Sequence, residues 1–198
     1  MDKRDLEQLL SDVADGAVAP AVALTRIQTA PTADLGFAQL DLSRGVRQGA
    51  GEVVYGAGKT AEQIAAIIEA LCDAGQERIL VTRLDAEKAA RTSELLDNGI
   101  DLGYVPDAQL ALVGGKPPPT GNGRIVVACA GTSALPVAEE AALTAEFYGN
   151  EVDRLYDVGV AGLHRLLAHA EELAQAQVVI AIAGMEGALA SVIGGLVS

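Results

Sequence analysis

The spacing of apolar residues along the chain switches several times between a helical and a strand-like period. Near the amino terminus, apolar residues recur at three- and four-residue steps that place them on one helix face: Leu6, Leu9, Leu10 and Val13. Pro20 permits a second short helix after the first. Residues 1–34 are therefore predicted to form a helical segment, whereas residues 35–51 give no clear period.

From residue 52 the pattern predicts a small α/β domain over residues 35–113. Its predicted strands are 52–55, 78–84 and 100–105. Thr60 and Gln63 have the spacing of a capping box, which predicts a helix that ends at Gly75. Asp85 is expected to cap a second helix, closed by Gly99. The Gly- and Pro-rich segment 114–123 then predicts a linker.

After the linker, strands and helices alternate in a regular way. The predicted strands are 125–130, 152–156 and 178–183, and the first is continuously apolar, as in a strand buried on both faces of a parallel sheet. Helices are predicted after each strand, the second reaching about Ala174 and the third covering 188–197. This alternation predicts a doubly wound parallel-sheet domain over residues 124–198, of the Rossmann or flavodoxin type.

Composition narrows the class of protein. Half of the 198 residues are apolar and only 3% are aromatic, so the core must be packed from Ala, Val, Leu and Ile. The net charge of −13 argues against nucleic acid and anionic membranes as partners. No signal peptide or membrane span is recognisable, and Cys72 and Cys129 do not make a disulfide framework. We expect a cytoplasmic enzyme or binding protein in which both cysteines pack as small apolar residues.

The candidate chemistry lies where the strands of the second domain end, because ligands of such sheets bind at the carboxyl ends of the strands. Three segments fall there: Gly131-Thr132-Ser133, Asp157–Gly162 and Gly184–Gly187. Glycines let the backbone approach a ligand, and helix N-termini attract anions. The polar side chains expected to line one crevice are Ser133, Asp157, His164 and Glu186.

Each of these residues also has a purely structural interpretation. Ser133 could cap the following helix, Asp157 could stabilise a turn, and His164 could be an exposed first-turn histidine. Glu186, between two glycines, has fewer structural explanations. His164 and His169 are five residues apart with no neighbouring cysteine, which does not favour zinc.

Gly58-Lys59-Thr60 is reminiscent of a phosphate-binding loop, but Val53 stands where that motif needs its first glycine. A Walker loop is therefore excluded. Lys59 could still meet a phosphate, or the segment could serve only as a turn and a helix cap.

Three longer segments resemble the LarB family of nickel-pincer-nucleotide cofactor biosynthesis proteins. They are LDLSRGVRQGAGEVVYGAGKTAEQI, GTSALPVAEEAALTAEFYGNEVDRLYDVGVAGLHRLL and IAIAGMEGALASVIGGLV. The resemblance runs from about Gly36 to Val197, and the second domain is more distantly similar to PurE-type aminoimidazole ribonucleotide carboxylases.

The resemblance implies an enzyme that carboxylates the pyridinium ring of nicotinic acid adenine dinucleotide at the 5-position, with CO2 or bicarbonate as co-substrate. It also implies hydrolysis of the phosphoanhydride, which yields AMP and pyridinium-3,5-biscarboxylic acid mononucleotide for the nickel cofactor of lactate racemase. A cysteine thiolate would add to the ring and make it nucleophilic. No tightly bound cofactor is expected beyond a divalent cation such as Mg for the hydrolysis, and both resembling families imply a homo-oligomer.

The resemblance also suggests a role for each candidate residue. Asp157 and His164 would position the nicotinate carboxylate, CO2 or a water, and Glu186 would act as an acid or base, or next to a metal. Phosphate or carboxylate would be held by Ser133 with the backbone of Gly131 and Thr132, beside the ligand-approach glycines Gly159, Gly184 and Gly187. Arg44, Arg47 and Lys59 would supply positive charge towards the dinucleotide.

The chain departs from the family pattern at several positions: Gly51, Ala57, Ala134 and Ala190 stand where the family usually has Pro, Glu, Asp and Pro. The family also continues beyond residue 198, where its cysteine lies, so the resemblance implies a fragment without the nucleophile. Three alternatives remain open: an aminoimidazole ribonucleotide carboxylase or mutase, a noncatalytic nucleotide-binding module, and a subunit whose crevice serves assembly.

Overall fold

The computed structural model describes residues 3–28, 32–42, 44 and 50–197, and within these ranges the chain is an α/β protein. The first two helices, α1 (Lys3–Ala14) and α2 (Pro20–Gln28), pack against each other as a hairpin. Leu9 is buried between them, whereas Leu10, predicted on the same face, is 56% exposed. The predicted helical segment ends earlier than residue 34, because β1 (Thr32–Asp34) pairs antiparallel with β2 (Gln39–Asp41).

The first large sheet has the strand order β3-β4-β6-β5. Its strands are β3 (Val53–Tyr55), β4 (Ile79–Thr82), β5 (Leu102–Val105) and β6 (Leu110–Val113). Strands β3 and β4 are parallel, and β6 runs antiparallel to both of its neighbours. Helices α3 (Ala61–Asp73) and α4 (Ala86–Leu95) cover one face of this sheet, where their apolar residues form a continuous core with β4 and β6.

Both predicted helix starts in this domain are confirmed. Thr60 accepts a hydrogen bond from the Gln63 N–H, and the Gln63 side chain accepts one from the Thr60 N–H, which completes the capping box. The Asp85 side chain accepts from the Lys88 N–H at 2.8 Å and caps α4. Strand β6 was not predicted, since its four apolar residues follow a short turn at Pro106–Ala108 that gives no strand signal.

The second sheet consists of three parallel strands in the order β8-β7-β9. They are β7 (Arg124–Cys129), β8 (Glu151–Leu155) and β9 (Val178–Ile182). Helix α5 (Leu135–Phe147) packs on one face, and the short helices α6 (Leu163–Leu167), α7 (Ala170–Gln175) and α8 (Ala188–Gly194) pack on the other. The sheet is thus doubly wound as predicted, and the last four residues of β7 are completely buried. One helix predicted to run to Ala174 is instead two, α6 and α7.

Helix α5 lies between the two sheets. Ala138 and Ala142 pack against Val127 and Cys129 of β7, on one side of the helix. On its other side, Leu143 and Phe147 are buried against the first sheet, with Leu80, Ala108, Leu110 and Leu112. Arg83, directly after β4, adds an ion pair to Glu140 of α5 with Nε–Oε2 at 2.6 Å. The two sheets are therefore in contact through one helix, although the predicted linker 114–123 contains neither helix nor strand.

No helix in the described ranges combines the length and the apolar character needed to cross a membrane.

Candidate functional site

The carboxyl ends of β7, β8 and β9 surround an open crevice with a volume of about 280 Å³. Three exit loops form it, one from each strand, as expected for the carboxyl edge of a parallel sheet. Its lining residues are Ala130, Gly131, Ser133, Ala134, Gly159, Val160, Ala161, Ala183, Gly184, Met185, Glu186, Ala188 and Leu189. The walls are mostly alanine and glycine, so the backbone itself forms much of the surface.

The loop after β7 leads directly into α5. Gly131 is extended, with φ −155°, and residues Thr132–Ala134 form one 3₁₀ turn. Ala134 precedes α5 as its N-cap, and no side chain accepts a hydrogen bond from the first turn of the helix. Ser133 therefore does not cap α5; its side chain is exposed and lines the crevice instead. The positive end of the α5 dipole faces the same region.

The loop after β8 passes very close to the end of β7. The Val158 N–H donates to the Cys129 carbonyl at 3.0 Å. A Cβ atom added at Gly159 would lie 2.6 Å from the Ala130 carbonyl oxygen, a backbone atom that cannot easily move away. The close packing of the two exit loops therefore requires glycine at position 159. The sequence analysis had explained the loop glycines differently, by the close approach of the backbone to a ligand.

The loop after β9 makes a tight turn in which the Gly187 N–H donates to the Gly184 carbonyl at 3.0 Å. Within it, Met185 has φ 49° and Gly187 has φ 69°, both in the left-handed region. Met185 and Glu186 are both exposed and both line the crevice. Sequence reasoning singled out Glu186 and overlooked Met185, although a large apolar residue in a glycine-rich loop was itself a signal.

Asp157 and His164 are not among the residues that line the crevice. Asp157 follows β8 with φ 58°, and its Oδ2 forms an ion pair with Arg165 Nη1 at 2.5 Å. His164 is exposed in the first turn of α6. Both residues flank the β8 exit loop, and their predicted roles as positioning groups remain predictions.

Of the predicted basic residues, Lys59 belongs to a different part of the molecule. Lys59 lies at the carboxyl end of β3 in the first sheet, and its Nζ donates to the Tyr55 carbonyl at 3.0 Å. Lys88 of α4 donates to the adjacent Gly56 carbonyl at 3.1 Å. Arg44 is half-buried and does not line the crevice. Arg47 lies outside the residues that the structure describes. Thr132 and Gly187 border the crevice without lining it.

Neither cysteine has the environment of a nucleophile. Cys129 is the last residue of β7, at the strand end that leads into the crevice loop. Its side chain is completely buried towards α5, and burial raises the pKa of the thiol. The Cys129 Sγ donates to the Gly131 carbonyl at 3.2 Å. Cys72 in the last turn of α3 is half-buried, and burial raises its pKa as well.

The described lining of the crevice contains few polar or charged side chains. Glu186 is the only charged side chain among the described residues that line it, and Ser133 is the only neutral polar one. Within the described residues, no group of three or more His, Cys, Asp or Glu side chains could hold a metal ion. The residues present therefore suit a ligand with a positive charge near Glu186 and a negative charge near the start of α5.

Comparison with known proteins gives two findings. Residues 32–114 match a family model described as the LarB/PurE-like N-terminal domain, a range that starts at β1 and ends just after β6. A protein of Methanocaldococcus jannaschii, described as uncharacterized, is 35% identical over 163 residues. That alignment covers 80% of this chain and 64% of the relative, so the chain spans less than two thirds of the relative's length. The crevice lies outside the segment matched by the family model.

Proposed function

Residues 32–114 match the model of the LarB/PurE-like N-terminal domain, and from that match we propose that the protein is a carboxylase of pyridinium nucleotides. Its substrate is nicotinic acid adenine dinucleotide, carboxylated at the 5-position of the ring by CO2 or bicarbonate. Hydrolysis of the phosphoanhydride then releases AMP and pyridinium-3,5-biscarboxylic acid mononucleotide, the precursor of a nickel-pincer cofactor.

The observation that carries this proposal is the composition of the crevice. A planar ring can lie against walls of alanine and glycine, and the single carboxylate of Glu186 complements the positive charge of a pyridinium. The ring carboxylate can meet the N-terminus of α5, where no side chain occupies the free N–H groups. The crevice volume of about 280 Å³ is just below the range of ligand pockets, roughly 300–1,000 Å³. It suits the nicotinate end of the dinucleotide, with the adenylate outside.

The chemistry assigns a specific task to Glu186. A cationic ring attacks CO2 only after a nucleophile has added to it and converted it to a neutral enamine. Once the C5–CO2 bond has formed, C5 must lose its proton and the nucleophile must leave, which restores the aromatic ring. We assign the acceptance of that proton to Glu186, and the orientation of the carboxylate to Ser133 and the α5 N-terminus.

The described residues do not supply every group that the reaction needs. The raised pKa values of Cys72 and Cys129 leave both as thiols at neutral pH, and we assign the nucleophilic addition to neither. No cluster of three metal-type ligands exists in the described part of the chain, so no step is assigned to magnesium. The state of the two thiols favours a second candidate function, a nucleotide-binding module without ring chemistry.

Calorimetric titration with nicotinic acid adenine dinucleotide, NAD and aminoimidazole ribonucleotide tests these proposals. We expect the nicotinate dinucleotide to bind most tightly, because only it places a carboxylate at the α5 N-terminus. Glu186→Gln should weaken that binding roughly tenfold through loss of a charged partner, whereas Glu171→Gln on exposed α7 should leave it unchanged. Preferential binding of aminoimidazole ribonucleotide would favour a purine-type carboxylase, and no binding of any of the three would refute the proposal.

Turnover is tested separately by mass spectrometry. Incubation with nicotinic acid adenine dinucleotide and labelled bicarbonate should reveal the biscarboxylated mononucleotide if the chain is a complete catalyst. Binding without product identifies the chain as the binding part of the enzyme or as a noncatalytic module.

A further inference from the structure

Met185 combines three properties that are rarely found in one apolar residue. It lines the crevice, its relative exposure is 102%, and its φ of 49° lies in the left-handed region. A non-glycine residue pays a conformational cost in that region, and such strain is concentrated at functional sites. Because the Met185 side chain is fully exposed, no packing contact in the free protein compensates for this conformational cost.

The surroundings of Met185 show what contact it lacks. Gly131, Ala134, Gly159 and Ala161 line the same crevice, and their side chains are too short to cover a thioether. Leu189, the other long apolar residue in the lining, is only 1% exposed and already belongs to the core. Most of the lining consists of such small apolar residues, so a planar ring can lie against them and still contact the Met185 thioether.

We propose that Met185 packs on a planar heteroaromatic ring bound in the crevice and that this contact makes the site selective for ring-bearing nucleotides. Methionine is suited to the task, since its chain is unbranched and its sulfur makes favourable contacts with aromatic rings. The identification of that ring as a pyridinium rests on the proposed function, whereas the ring contact itself does not. Met185 thereby becomes a specificity-determining residue, next to the single carboxylate of the lining.

The chain contains only two methionines, Met1 and Met185, which permits a direct spectroscopic test. Protein labelled with ¹³C at the methionine methyl groups gives two methyl signals, and Met185→Leu assigns one of them by its loss. Nicotinic acid mononucleotide should shift the Met185 methyl signal upfield through the ring current, whereas ribose 5-phosphate should not. The Met1 signal serves as the internal reference.

Affinity provides the second readout. Met185→Ala should weaken nicotinic acid mononucleotide binding about two- to tenfold, the range of a sulfur–aromatic contact, and should not alter binding of ribose 5-phosphate. Met185→Gly controls for folding, because glycine accepts the left-handed conformation without strain. It should melt at the same temperature as the wild type or higher, and still lose the same affinity.

The outcomes separate the two proposals. If the mononucleotide binds but neither shifts the methyl signal nor discriminates between wild type and Met185→Ala, the ring contact is refuted and the proposed function stands. If only aminoimidazole ribonucleotide shifts the signal, the ring contact stands and the pyridinium substrate is refuted. A methyl signal that shifts with protein concentration alone would identify Met185 as a self-association contact and overturn the inference.

Discussion

The two cysteines occupy different elements but share one chemical state, because burial raises the pKa of each thiol. A raised pKa lowers the thiolate fraction at a given pH, and the thiolate is the reactive form. At pH 8 we therefore expect iodoacetamide to leave Cys129 unmodified in the native protein and to modify Cys72 slowly. Both should react readily in urea, as mass spectrometry of peptides can establish. Rapid native alkylation of Cys129 would contradict the described burial.

Two glycines of the crevice should respond to substitution in opposite ways. Gly159→Ala places its Cβ against a backbone oxygen at 2.6 Å, so the exit loops must separate. We expect a loss of roughly 1–3 kcal/mol in the free energy of unfolding, typical of overpacking. Gly184→Ala meets no heavy atom within 4 Å and should change stability by less than about 0.5 kcal/mol. It should instead reduce nucleotide affinity. Denaturant unfolding and calorimetry distinguish the two effects, and equal stability of both variants would argue against the close approach.

At the scale of elements, helix α5 and strand β8 are joined by a network of charged side chains. Glu146 accepts hydrogen bonds from Arg154 at 2.6 Å and Lys116 at 2.7 Å. Burial opposes its ionisation, but these two cations outweigh burial and hold the pKa of Glu146 below the ordinary 4.5. The stabilisation is therefore complete above about pH 4.5 and is lost as the pH falls through the lowered pKa of the folded state.

Glu146→Gln should accordingly lower the free energy of unfolding by about 1–3 kcal/mol at pH 7. The difference from wild type should shrink below pH 4.5. Glu151→Gln is the matched control, since Glu151 pairs with Arg124 at 2.8 Å where both side chains are more than half exposed. It should change stability very little, because water and salt screen an exposed pair. A pH-independent effect of Glu146→Gln would show that packing, not charge, accounts for the loss.

Helix caps could be predicted from the sequence, whereas one strand and one crevice residue could not. Local signals predicted the Thr60 and Asp85 caps, because a cap depends on residues three positions apart. Strand β6 escaped prediction, since its existence depends on pairing with β4 and β5, which sequence spacing does not encode. The crevice loops were found from glycines at strand ends. Met185 was missed although a large apolar residue in a glycine-rich loop is a signal, because its left-handed backbone angle and its exposure, which give that signal its meaning, are not visible in the sequence.

For the whole molecule, the position of α5 between the sheets predicts a single cooperative unfolding transition. Phe147 is 8% exposed and packs against the first sheet, while the opposite side of the same helix packs against β7. Phe147→Ala should cost about 3–5 kcal/mol, and hydrogen exchange should show that β4 and β7 lose protection together. Leu167→Ala, which truncates a side chain that is 46% exposed, is the control and should have little effect. Loss of protection in β4 alone would instead support two independent domains separated at residues 114–123.

The Glu186 carboxylate in the crevice also affects how quickly a ligand arrives. The chain carries a net charge of −13, and the exposed Glu186 in the crevice lining adds to that negative field rather than opposing it. A dinucleotide, which has a net negative charge from its phosphates, therefore approaches against long-range repulsion, even though its cationic ring is attracted once inside. Salt screens the repulsion over distances beyond about 8 Å at physiological ionic strength. Stopped-flow measurements should consequently show association becoming faster as salt is added, with a much smaller change in the rate at which the bound ligand leaves.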